Sequence, residues 1–78
     1  MSEHITVDCT IAKDGRVWVR RIKSGDRWQS VEQGRQWGDE DGRHVLIMGP
    51  GHDVQELLLS AETLRWELVP RRSTPQIM

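Results

Sequence analysis

Val54-Gln55-Glu56-Leu57-Leu58-Leu59-Ser60-Ala61-Glu62-Thr63-Leu64-Arg65-Trp66-Glu67-Leu68-Val69 is the stretch on which the fold class turns. Read as a helix, it places apolar residues at 54, 57, 58, 61, 64 and 68, which is a stripe at helical spacing. Asp53 and Glu56 then have the separation of a capping box, and Pro70 supplies a stop. Read as two strands, Leu64, Trp66 and Leu68 alternate with Arg65, Glu67 and Val69, and Ser60 to Thr63 form the connection. The strand reading accounts for Leu59 and Trp66, which fall off the helical stripe. The helical reading accounts for the Leu, Glu and Ala content, which strands do not favour. We adopt the strands and keep a single helix over 54–68 as the alternative.

The chain before this stretch reads as β throughout. Ile5, Val7, Cys9 and Ile11 alternate with Thr6, Asp8, Thr10 and Ala12, the period of a half-buried strand. Asp14-Gly15 is a hairpin signal. Arg16 to Lys23, with Val17, Trp18, Val19 and Ile22, is the returning strand, broken by Ser24-Gly25-Asp26. Trp28 to Gln33 reads as a weaker strand. Gly34, Gly38 and Asp41-Gly42 punctuate what reads as a polar loop around Trp37. His44 to Met48 is a short apolar strand, ended by Gly49-Pro50-Gly51.

These signals predict an all-β antiparallel domain over residues 1–70, a small SH3-like or roll-like barrel of five or six strands, with 71–78 as a flexible tail. The alternative is an α+β meander closed by the 54–68 helix. The expected core is Ile5, Val7, Cys9, Ile11, Val17, Val19, Val45, Ile47, Leu58, Leu64, Trp66 and Leu68.

The 78 residues allow one small domain and no cofactor fold beside a substrate fold. Cys9 is the single cysteine, so no internal disulfide forms and a cytoplasmic setting is expected. No apolar run approaches a membrane span, and Met1 to His4 predicts no signal peptide. The net charge of -1 hides an asymmetry. Lys13 to Trp28 holds six bases against two acids, whereas Glu32 to Glu67 holds eight acids against three arginines. A dipolar surface argues against strong duplex binding and permits self-association.

Little in the sequence points to catalysis. Cys9 lies on the apolar side of the first strand, as a small core residue does. Asp39-Glu40-Asp41 reads as a solvated turn. His44 and His52 bracket the Gly-Pro-Gly turn and read as solvated histidines. No metal site, cofactor or catalytic residue is expected. The distinctive feature is four Trp with no Phe or Tyr, set among arginines. With no other aromatic available, the core is expected to take at least two of them, Trp18 and Trp66. Trp37 is the one expected to face a partner. Aromatics interleaved with bases can stack on unpaired bases. The candidate binding residues are therefore Arg20, Arg21, Lys23, Arg27, Trp28, Arg35 and Trp37.

Two resemblances add to this reading. Val19-Arg20-Arg21-Ile22-Lys23-Ser24-Gly25-Asp26-Arg27-Trp28-Gln29, with Val54-Gln55 further on, resembles the plasmid-borne trimethoprim-resistant dihydrofolate reductases. That resemblance implies an SH3-like barrel in a tetrameric pore. Of the family's pore residues only Gln55 carries over: Glu56 stands in place of an isoleucine, Ile22 in place of the lysine, and the tyrosine has no counterpart. Gly15-Arg16, Val19, Ile22, Trp28, Trp37, Val54, Glu56-Leu57 and Arg65-Trp66-Glu67-Leu68 are similar to small Trp-marked bacterial domains of unassigned function. That similarity implies an antiparallel meander and no chemistry.

The function expected is a non-enzymatic binding module whose basic, Trp-bearing face contacts single-stranded nucleic acid or a protein. The alternatives are a phage- or plasmid-type regulatory factor acting through its acidic surface or as a homo-oligomer, and a reductase-like tetramer. No membrane partner is expected.

Overall fold

A computed structural model describes residues 3–49, 51 and 53–69, without the side chains of Glu3 and Ser24. The expected tail at 71–78 and His52 lie outside the described residues. The described chain is all β: β1 (Glu3–His4), β2 (Thr6–Ile11), β3 (Val17–Ser24), β4 (Arg27–Ser30), β5 (Glu32–Asp39), β6 (Gly42–Met48), β7 (Val54–Ser60) and β8 (Trp66–Val69). Every pairing is antiparallel, in a five-stranded sheet ordered β1-β8-β7-β6-β5 and a three-stranded sheet ordered β2-β3-β4. No described helix is long and apolar enough to cross a membrane.

The decisive stretch is strand, turn, strand, and the alternative 54–68 helix does not form. What remains of its helical character is one arrested turn. The Leu64 amide donates to the Ser60 carbonyl at 2.8 Å, a four-residue helical closure. The buried Ser60 hydroxyl accepts the amides of Glu62 and Thr63. Leu64 then takes a left-handed φ of 59°, which ends the turn and releases the chain into β8.

The sheets do not close into the expected barrel. Single residues carry the chain from one sheet to the other: Ile5 between β1 and β2, and Val31 between β4 and β5. The Ile5 amide donates to the Trp66 carbonyl and the Val31 amide to the Arg20 carbonyl, each at 3.1 Å. Beyond Val31, β5 leaves β3 and the backbone ladder stops. Side-chain amides take its place. Gln33 Oε1 accepts the Val19 amide at 2.6 Å and its Nε2 donates to the Val17 carbonyl at 2.8 Å. Gln36 accepts the Val17 amide at 3.0 Å and donates to the same carbonyl at 2.8 Å.

Two irregularities set which side chains share a face. Residues 33 and 36 would point to opposite faces of a regular strand. The register of β5 on β6 slips between them, so Gly34 and Arg35 together oppose Leu46, and both glutamines turn toward β3. The polar loop expected around Trp37 is thus the second half of a bulged eight-residue strand. On β3, Arg21 opposes Asp8 while Val19 opposes Cys9, which leaves Arg20 as the extra residue. Val17, Val19 and Ile22 therefore all face inward despite their mixed parity.

The buried core is Val17, Val19, Ile22, Val45, Ile47 and Leu57. Ile5, Val7, Cys9, Val31, Trp66 and Leu68 pack around it. Full burial of such side chains contributes roughly 1.5–3 kcal/mol each. Five expectations are corrected. Leu57, opposite Val45, takes the place expected of Leu58. Ile11 is 53% exposed at the end of β2, and Leu64 is 76% exposed in its turn. Ile22 joins the core through the β3 bulge. Finally, none of the six buried core residues is aromatic: β-branched and leucyl side chains fill the space between the sheets, and among the tryptophans only Trp66 packs at its margin.

Candidate functional site

The outer face of the small sheet follows from pairing. Thr6, Asp8 and Thr10 oppose Lys23, Arg21 and Trp18, and Lys23 and Arg21 in turn oppose Trp28 and Ser30. Trp18 lies between the inward Val17 and Val19, so alternation turns it out. It is 49% exposed and Trp28 is 43% exposed. The expectation of Trp18 as core is therefore corrected, and the Val-Trp-Val alternation was the signal that could have placed it. Arginine guanidinium groups lie over both rings, Arg16 at 5.9 Å from the Trp18 centroid and Arg21 at 4.9 Å from that of Trp28.

Asp8 organises the basic residues between the two rings. Its Oδ1 pairs with Arg20 Nη2 at 3.1 Å, and its Oδ2 with Arg21 Nη2 at 2.9 Å and Nε at 3.0 Å. Arg20 Nη1 also donates to Thr10 Oγ1 at 2.7 Å. The Arg21 and then the Arg20 guanidinium hold the Asp8 carboxyl below its ordinary 3.8. These pairs are exposed and add little stability. Their effect is to orient both guanidinium groups on one face, which the bulge at Arg20 makes geometrically available.

The structure divides the seven expected binding residues. Arg20, Arg21, Lys23 and Trp28 share the outer face of the small sheet. Alternation along β4 turns Arg27 away from Trp28. Arg35 and Trp37 lie on the large sheet, with the Arg35 guanidinium 5.6 Å from the Trp37 ring centroid. Trp37 is half-buried, stacked on His44 at 5.0 Å with the rings 2° from parallel. It is less exposed than Trp18 or Trp28. Of the reductase-like positions, Ile22 is buried in the core and Gln55 is half-buried opposite Ile47.

The large sheet carries a second constellation that the sequence reading treated as solvated groups. His44 is only 8% exposed. Its Nδ1 contacts Glu56 Oε2 at 2.7 Å, and its Nε2 lies 2.9 Å from Asp39 Oδ2. Burial on its own lowers the His44 pKa; Glu56 and Asp39 outweigh it and the net shift is upward. The imidazole in turn holds Asp39 below its ordinary carboxyl value, against a smaller effect of burial. Asp41 contributes its carboxylate nearby, and a recess of about 400 Å³ lined by Glu40, Asp41, Leu58, Ser60, Glu62 and Glu67 adjoins it. Asp39, Asp41 and His44 belong to the β5–β6 hairpin and stand within six residues in the sequence, whereas Glu56 and Glu67 come from β7 and β8 and join them only through sheet pairing. Cys9 packs against the core, and burial raises its thiol pKa.

No family model matches the chain, and neither the curated proteins nor the solved structures yield a match to it.

Proposed function

We propose that the chain is a non-enzymatic module that binds single-stranded nucleic acid on the outer face of its three-stranded sheet. One observation carries this reading: two exposed tryptophans, Trp18 and Trp28, flank Arg20, Arg21 and Lys23 on that face. Trp18 and Lys23, the partner of Trp28, oppose Thr10 and Thr6, which are four positions apart on β2. That is a span of about 13 Å at strand rise, enough for a few unstacked nucleotides. Base–aromatic stacking contributes about 1–3 kcal/mol per base. The preoriented guanidinium groups supply phosphate contacts. With only three or four cations engaged, the slope of log K against log salt is about −2 to −3.

The test is titration with short single-stranded oligonucleotides at low salt, read by tryptophan emission and gel mobility. Quenching that weakens in Trp18→Ala and Trp28→Ala, and disappears as salt rises, supports the reading. Unchanged emission with no mobility shift removes it.

A second reading is favoured by the acidic recess on the other sheet. Its carboxylates suit a basic protein surface, including the basic face of a second copy. Sizing the protein at low and high salt separates the two readings: a salt-sensitive oligomer in nuclease-treated material supports this one.

A further inference from the structure

Carboxylates on a β turn are ordinary solvated groups, and Glu40 and Glu62 beside the recess need no ligand to explain them. The imidazole at its edge is different. His44 is more than nine-tenths buried, its Nε2 is shut off from solvent, and that nitrogen makes no hydrogen bond of proper geometry. It faces the Asp39 carboxylate at 2.9 Å. One ligand atom each from Asp39, Asp41 and His44 lie within 4.8 Å of one another.

Proton counting makes this arrangement informative. A neutral imidazole has one N–H. Glu56, as a carboxylate, only accepts, so the contact at 2.7 Å fixes that proton on Nδ1. Nε2 then turns its lone pair on the Asp39 carboxylate, and the two repel. A positive charge between them removes the repulsion. A second ring proton can serve, and it engages Asp39 alone. A metal ion uses all three groups.

We propose that Asp39, Asp41 and His44 bind a divalent first-row transition metal, Zn²⁺ foremost, through His44 Nε2 and the two aspartate carboxylates. Glu56 is the positioning residue that fixes the ring and its tautomer, as carboxylates behind metal-bound histidines do. One imidazole with two carboxylates suits zinc better than magnesium or calcium, which prefer oxygen alone, and the set lacks the thiolates that select copper(I). The Asp41 amide donates to Asp39 Oδ1 at 2.8 Å, which leaves Oδ2 on the His44 side. Glu40, Glu62 and Glu67 add a negative field that gathers cations at the recess. Three protein ligands leave coordination positions for water or for a partner's donor group. The site lies on the sheet opposite Trp18 and Trp28, so it stands or falls independently of nucleic-acid binding.

The experiment is calorimetric titration of the chelator-stripped full chain with ZnCl₂, alongside Trp37 emission and imidazole ¹⁵N shifts. The expected result is one zinc per chain, a change in tryptophan emission, and a shift at His44 Nε2. His44→Gln abolishes binding. Asp41→Asn, in an exposed turn and so without consequence for folding, weakens it about tenfold or more, and Glu56→Gln on the order of tenfold to a hundredfold. Asp14→Asn and Trp28→Phe bind as the parent does. Failure to take up stoichiometric zinc overturns the proposal and assigns the place to a proton. Uptake that Asp41→Asn and His44→Gln leave unchanged also overturns it, because the metal then sits elsewhere.

Discussion

The Trp37 indole and the His44 imidazole lie parallel, 2° apart in plane with centroids 5.0 Å apart. They are direct cross-strand partners on β5 and β6, so backbone pairing enforces the stack. Two carboxylates hold the other edges of the imidazole.

That relationship sets a pH dependence. The His44 pKa is raised from its ordinary 6.5. A raised value means that the folded protein binds the proton more tightly than the unfolded chain. The resulting stabilisation is complete below the unfolded value and is lost as pH rises through the folded one. In metal-free buffer the melting temperature therefore falls over that interval, and Trp37 emission changes with it. His44→Gln removes this slope. The Asp39 carboxyl has the opposite sense: its contribution is present above the ordinary 3.8 and disappears as pH falls through its depressed native value. Parallel melting curves for the parent and His44→Gln across the neutral and mildly alkaline range would contradict the assignment.

The glutamine seam predicts a non-additive pair. Gln33→Ala orphans the Val19 amide, and Gln36→Ala orphans the Val17 amide. Each costs about 1–3 kcal/mol, the penalty of an unsatisfied buried group. Either variant leaves the Val17 carbonyl with one donor; the double variant leaves it with none. The double variant is therefore worse than the sum by about 0.5 kcal/mol or more. Urea unfolding of the four proteins measures the coupling, and strict additivity would rule out a shared acceptor.

Adjacent leucines on β7 separate the observed core from the one expected from sequence. Leu57 is fully buried and Leu58 is half-buried on the opposite face beside His44. Leu57→Ala is expected to cost about 2–5 kcal/mol, in the range of core truncations, and Leu58→Ala distinctly less. Equal losses in denaturant melts would argue for a different register of β7.

Leu64 offers a stabilising change. Its left-handed conformation costs a side-chain-bearing residue about 1–2 kcal/mol, and glycine avoids that at an entropic penalty of roughly 0.5–1 kcal/mol. Leu64→Gly is thus expected to gain up to about 1 kcal/mol, with little burial lost at 76% exposure. Leu64→Val, β-branched at positive φ, loses stability. A thermal melt that orders glycine below valine would show that the turn is not strained.

Local chemistry made the hairpins legible. Asp14-Gly15 and Ser24-Gly25-Asp26 mark turns with glycines at φ 90° and 62°, and the strict alternation at Leu64 to Val69 marks β8. What stayed hidden arises where a bulge changes parity. Period-two reading places Ile22 out of step with Val17 and Val19, and Gln36 out of step with Gln33, until an extra residue is inserted between them. The single-residue corners at Ile5 and Val31 leave no compositional trace, so two sheets looked like one barrel. The tryptophans misled for a different reason. Their size suggested a core role, while alternation with Val17 and Val19 had already turned Trp18 outward. Around His44, Asp39 and Asp41 were legible as neighbours in one hairpin, while the burial of the imidazole and its contact with Glu56 arise only when β7 pairs with β6.

The Gln33 and Gln36 contacts also bear on how this chain behaves in a crowd. A strand whose amides meet no neighbouring backbone is a template on which another molecule's strand can add, the first step toward swapped dimers and fibres. Here two carboxamides occupy the Val17 and Val19 positions that such an intruder would need. Their rotation away uncovers that template without unfolding either sheet. Protection of this strand edge is thereby tied to two uncharged side chains on the seam.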